Sequence, residues 1–119
     1  MLTIDALQAL GVDTQEGLGR CMNNEAFYFR LIAKAMEDNS IEKLKEAIEA
    51  GNLDTAFELS HALKGVLGNL ALTPLYTIVC EMTEHLRAKE QADYSVYLAA
   101  LLEKKDELVD LCREKVQNT

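Results

Sequence analysis

Apolar residues recur at helical spacing in one segment after another of this chain, and no run alternates apolar with polar residues as a strand would. Residues that start or stop helices punctuate the segments. A short amphipathic stretch from Leu2 to Leu10 stops at Gly11. Asp13-Thr14-Gln15-Glu16 has the form of a capping box, opening a turn that Gly17 and Gly19 are expected to interrupt. Asn23 and Asn24 cap a segment from Glu25 to Asp38 that carries Phe27, Leu31, Ile32, Ala35 and Met36. Asn39 and Ser40 start another, with Ile41, Leu44, Ala47 and Ile48, which ends at Gly51, a residue suited to a left-handed cap. Asn52 caps Leu53 to Leu70. Thr73-Pro74 supplies an N-cap and then proline at the first helical position of Pro74 to Lys89, with Leu75, Ile78, Val79, Met82 and Leu86. Asp93 caps Tyr94 to Val116, with Tyr97, Leu98, Leu101, Leu102, Leu108, Val109 and Cys112. Short connections make successive helices antiparallel. The expected fold is all-α: an antiparallel up-and-down four-helix bundle with one or two short additional N-terminal helices, as one domain over residues 1–119.

Charge narrows the possible partners. A net charge of −8 would repel nucleic acid and anionic membranes alike. No basic leader followed by an apolar run opens the chain, and no stretch approaches the roughly 20 apolar residues of a membrane span, so a cytoplasmic location is expected. Cys21, Cys80 and Cys112 are far apart and form no C-x-x-C pair, which reads as buried thiols acting as small apolar residues. No metal-site cluster and no G-x-x-x-x-G-K-[ST] loop is present, so neither a bound metal nor an ATP site is expected. Glu42, Glu46 and Glu49, and Glu103, Asp106, Glu107 and Asp110, interleaved with Lys43, Lys45, Lys104 and Lys105, read as solvated helix faces.

The stretch Ser60 to Leu70 is different. With His61 at 0° and about 100° per residue, Gly68, Gly65 and Lys64 all fall within roughly 60° of the imidazole. Leu59, Leu63, Val66 and Leu70 fall on the opposite side, at about 140° to 200°, and are expected to point inward. Glycine inside a helix costs up to about 1 kcal/mol against alanine. Two of them beside a solvent-facing histidine clear a landing area for a macromolecule that must reach the ring. His85, between Glu84 and Leu86, has no such setting and reads as a surface residue.

His61-Ala62-Leu63-Lys64-Gly65 resembles the H-x-L-K-G signature of histidine phosphotransfer (HPt) domains, the phosphate carriers of multistep two-component relays. Gly68-Asn69-Leu70 is similar to the end of that motif. Gly11-Val12-Asp13 with Gly17-Leu18-x-Arg20, and then Phe27-Tyr28 to Met36, look like the family's N-terminal part. Two positions depart: Val66 stands where many members have a small residue, and Ala71 where glycine is usual, a change expected to matter little.

The resemblance implies that His61 accepts a phosphoryl group from a receiver-domain aspartate, or within a histidine-kinase relay, and passes it to another receiver. Lys64 would stabilise the phosphoryl oxygens, and Phe57, Gly65 and Gly68 would form the docking patch. Thr83 would contact the imidazole and Arg87 the phosphate. The chain would be a covalent carrier and not a turnover enzyme. It would bind no cofactor, with Mg²⁺ held by the partner receiver, and no long unpaired apolar stripe demands a dimer, so a monomer is expected. Two rivals stand beside this reading: a helical adaptor that binds receiver or kinase domains without being phosphorylated, and a domain excised from a hybrid kinase. The helical start and full set of capped elements lean toward an independent protein.

Overall fold

The computed structural model describes residues 2–90 and 92–117, with side chains through 113. The expected domain ends at Met1 and Thr119 lie outside the described residues. Among those residues the chain forms seven helices and no strand: α1 (Ile4–Ala9), α2 (Thr14–Arg20), α3 (Glu25–Glu37), α4 (Ser40–Glu49), α5 (Leu53–Asn69), α6 (Thr73–Arg87) and α7 (Ser95–Gln117). The all-helical class is the one read from the sequence. The caps explain most boundaries. Side-chain oxygens of Thr3, Asp13, Asn24 and Asn52 accept the backbone N–H three residues on, at 3.0–3.2 Å, each satisfying a donor that the first helical turn leaves unpaired. Gly51 closes α4 at φ +76°, where a side chain would be strained.

Several local expectations are corrected. Gly17 and Gly19 do not interrupt a turn but sit within α2. Gly17 is there for packing, because a Cβ would lie 2.3 Å from the Tyr28 hydroxyl oxygen. Asn39 makes no side-chain cap; Asp38 instead accepts from both the N–H and the hydroxyl of Ser40. Thr73 is the first residue of α6, and its hydroxyl donates back to the Ala71 carbonyl.

Helices α4, α5, α6 and α7 pack as neighbours in sequence order, and α7 returns against α4, closing a ring; α3 lies on α7. Opposed pairs along α5 and α6 march in opposite directions: Asp54 with Lys89, Phe57 with Arg87, Ser60 with Thr83, Gly68 with Tyr76. The two helices are therefore antiparallel. The core runs through the ring and into the N-terminal helices, from Leu44, Leu67, Leu75, Met82, Leu101 and Leu108 to Ile32, Tyr28 and Leu7. Lys105 does not join a solvated face. It is 8% exposed, and its ammonium donates to Glu42 Oε1 (2.6 Å) and the Asp38 carbonyl (3.3 Å). Cys21 is buried as expected, whereas Cys80 and Cys112 are half-buried. No described helix is long and apolar enough to cross a membrane.

Candidate functional site

Helix α5 buries Ala56, Ser60, Leu63 and Leu67, while Leu59 is only half-buried and Val66 is 49% exposed. The inward face is thus turned by roughly 60° from the one the leucine spacing suggests. A polar residue causes the rotation. Ser60 is fully buried because its hydroxyl pairs with Thr83 of α6, and Thr83 in turn donates to the Val79 carbonyl at 2.7 Å. With one proton on each hydroxyl, this order satisfies both: Ser60 donates to Thr83, and Thr83 to Val79. The Thr83 hydroxyl is thus taken up by Ser60 and Val79 and makes no hydrogen bond with the His61 imidazole. It fixes the residue before it.

His61 is exposed on the outer face, and its ring stacks on Phe57 one turn earlier, with centroids 5.8 Å apart and planes 24° apart. Arg87 lies over the Phe57 ring at 5.1 Å, with its guanidinium Nε 3.6 Å from Glu84. Phe57 is therefore half-buried between two neighbours, with part of its ring still at the surface, and Arg87 is engaged with Phe57. Lys64, half-buried, follows His61 by one turn. A Cβ at Gly65 would meet nothing within 4 Å, so the surface beside Lys64 is open. Gly68 differs: a Cβ there would lie 2.9 Å from the Tyr76 ring, so this glycine admits an aromatic side chain from α6, while it still lines the groove beside His61.

His61, Lys64 and Gly65 form one wall of a groove of about 550 Å³ that continues past Asn69 and Tyr76 to Asp13, Glu16 and Arg20 on α2. Arg20 joins the walls, donating to Asn69 Oδ1 (3.3 Å) and to Glu16 Oε1 (2.7 Å). A hydrogen bond with Cys80, followed by that thiol's charge, holds the Tyr76 phenol above its ordinary value, so it is a neutral hydroxyl at pH 7. Reading for a nucleophile and its cation passes over Arg20, Asn69 and Tyr76. The sequence signals for them are Arg20's place in the Gly17-Leu18-x-Arg20 pattern and Asn69's in Gly68-Asn69-Leu70; Tyr76 has none. His85 lies elsewhere, half-buried, with Nδ1 2.7 Å from Glu90 Oε2 and its ring beside Tyr97. No group of three or more His, Cys, Asp or Glu among the described residues could hold a metal ion.

The all-helical bundle thus displays one imidazole beside one ammonium on an open helix face. The family model of the Hpt domain matches residues 30–117, and the chain belongs to that family. Its members are phosphocarriers that work with receiver domains in phosphorelays. The match begins within α3, so the groove wall contributed by α2 lies N-terminal to it. No curated protein and no solved structure matches the chain.

Proposed function

We propose that this protein takes a phosphoryl group onto His61 from a receiver aspartate and hands it to the aspartate of another receiver, as a cytoplasmic monomer. The observation that carries the reading is the exposed His61 ring with Lys64 one turn away and open space over Gly65. Neutral imidazole is a competent nucleophile near pH 7. Its ring nitrogen lone pair attacks phosphorus, the aspartyl O–P bond breaks, and the aspartate departs as a carboxylate, so no proton need move. The ammonium of Lys64 offsets charge on the transferring oxygens, and the receiver supplies its own Mg²⁺. Nothing in this step requires a cofactor on this chain.

The test is uptake from a panel of phosphorylated receivers, followed by intact mass as an acid-labile, base-stable adduct. The parent should gain one phosphoryl group and His61→Gln none. Uptake by His61→Gln would place the phosphoryl group on another residue and overturn the assignment of His61; none by the folded parent from any receiver would favour the adaptor. Lys64→Ala should fold normally yet transfer roughly tenfold more slowly, the scale of one lost charge-assisted contact; an unchanged rate would remove its role.

A further inference from the structure

We infer that Phe57 is a positioning residue for the phosphoacceptor: it holds the His61 ring in one orientation and is itself held by Arg87. The inference rests on the reading of His61 as phosphoacceptor and deepens it. An exposed histidine has two soft torsions and samples several rotamers, only some of which point the outer ring nitrogen at an incoming phosphorus. The stack between Phe57 and His61, 5.8 Å apart and 24° from parallel, lies within the range of favourable aromatic pairs and restricts the imidazole to one side. Phe57 is fixed in turn. Its inner part packs on the core, and the Arg87 guanidinium sits 5.1 Å from its ring centre, within cation–π distance. Glu84, 3.6 Å from the guanidinium, steadies Arg87 on α6.

This chain of contacts leads from α6 through Arg87 and Phe57 to His61. Beneath it, the Ser60–Thr83 hydrogen bond locks the backbone just before the histidine onto the same helix. Side chain and main chain of the acceptor are thus both referred to α6. A docking role for Phe57 makes a different demand. It would slow reaction with a receiver and leave the free protein's imidazole, and its reaction with a small donor, untouched.

The experiment separates the two. Phosphoramidate phosphorylates imidazole without any docking surface: the phosphoryl group leaves the donor nitrogen for the ring nitrogen, and ammonia departs with the donor's protons. Initial labelling rates with phosphoramidate and with a phosphorylated receiver are measured on the full chain. Proton spectra of its two histidine rings are recorded alongside, assigned with His61→Gln. Phe57→Leu should move the His61 ring protons downfield as the ring current is lost, and should slow phosphoramidate labelling roughly two- to tenfold, the worth of an aromatic pair. Phe57→Tyr should restore both. Arg87→Gln, a change at an exposed position that keeps the fold, should give a smaller loss in the same direction. Parent-like ring shifts and labelling in Phe57→Leu, with only the receiver reaction slowed, would overturn the proposal and make Phe57 a docking residue. If no receiver reacts but the ring shifts and labelling respond to Phe57→Leu, the proposed function fails while the positioning of His61 stands.

Discussion

Tyr28 ties the N-terminal helices to the helix that carries His61. Its ring is fully buried, and its hydroxyl donates at 2.8 Å to the carbonyl of Leu70, one of the acceptors that the end of α5 leaves without an intrahelical partner. Burial first, and then the charges of Cys21 and Asp13, push the phenol up to about 12. The folded state therefore favours the protonated phenol more than the unfolded chain does. That contribution is complete below about pH 10 and is lost as pH rises through about 12. Tyr28→Phe should cost about 1–2 kcal/mol in urea unfolding at pH 7. The gap to the parent should narrow between pH 10 and 12; a constant gap would show that the hydroxyl is not the source. Ala71, on the next turn of chain, adopts φ +56°, a left-handed conformation that an alanine side chain disfavours by about 1–2 kcal/mol. The departure from the family's glycine thus carries strain, contrary to its expected insignificance. Ala71→Gly should be neutral or stabilising by up to about 1 kcal/mol after the entropy of the freer unfolded chain is subtracted. Ala99→Gly, on the exposed side of α7, should cost about 1 kcal/mol.

At the scale of elements, α5 and α6 decide where the histidine stands. Their register is set by Asp54–Lys89 at one end and Gly68–Tyr76 at the other, with the buried Ser60–Thr83 pair between. Thr83→Val should cost about 1–3 kcal/mol, since it leaves the Ser60 hydroxyl buried without its partner. Adding Ser60→Ala should recover part of that loss, and a double-mutant cycle in urea should show coupling of about 1 kcal/mol. Additive losses would mean that the pair does not act as a unit. The same pair marks what the sequence could and could not reveal. Most helix ends were legible because Asn24, Asn52, Asp13 and Gly51 act locally, through the backbone beside them; α2 was not counted as a helix because Gly17 and Gly19 read as breakers. His61, Lys64 and Gly65 were legible because they lie on one turn of one helix. The true inner face of α5 was not, because Ser60 is buried by a partner 23 residues away and hydropathy scores it as polar. The roles of Gly17, Gly68 and Arg87 were hidden for the same reason: each depends on an aromatic ring, Tyr28, Tyr76 or Phe57, brought up by the fold.

Across the whole molecule, Lys105 joins α7 to the α3–α4 junction, and its two partners are unequal. The Asp38 carbonyl ends α3, where a cation suits the helix dipole, and Glu42 is 48% exposed. An exposed carboxylate stripped of its partner returns to water at little cost, whereas a buried ammonium stripped of its partner does not. Lys105→Met keeps the volume and removes the buried charge, so it should change stability by less than about 1 kcal/mol. Glu42→Gln leaves that charge with weaker partners and should cost roughly 1–2 kcal/mol, below the range for a fully buried pair because Glu42 meets solvent. Acid should reproduce the difference. Burial raises the Glu42 carboxyl, but the Lys105 hydrogen bond and charge outweigh it, with a backbone hydrogen bond, and hold it below its ordinary value. Its contribution is present above the ordinary carboxylate range and disappears as pH falls through that lowered value. Protonation also relieves the self-repulsion of a chain with net charge −8, so the parent's acid profile alone mixes two opposing trends. The comparison that isolates the pair is parent against Glu42→Gln: their stabilities should differ at pH 7 and converge toward the acid limit. A gap that persists unchanged to the lowest pH at which both fold would assign the loss to packing around Glu42 and not to its charge.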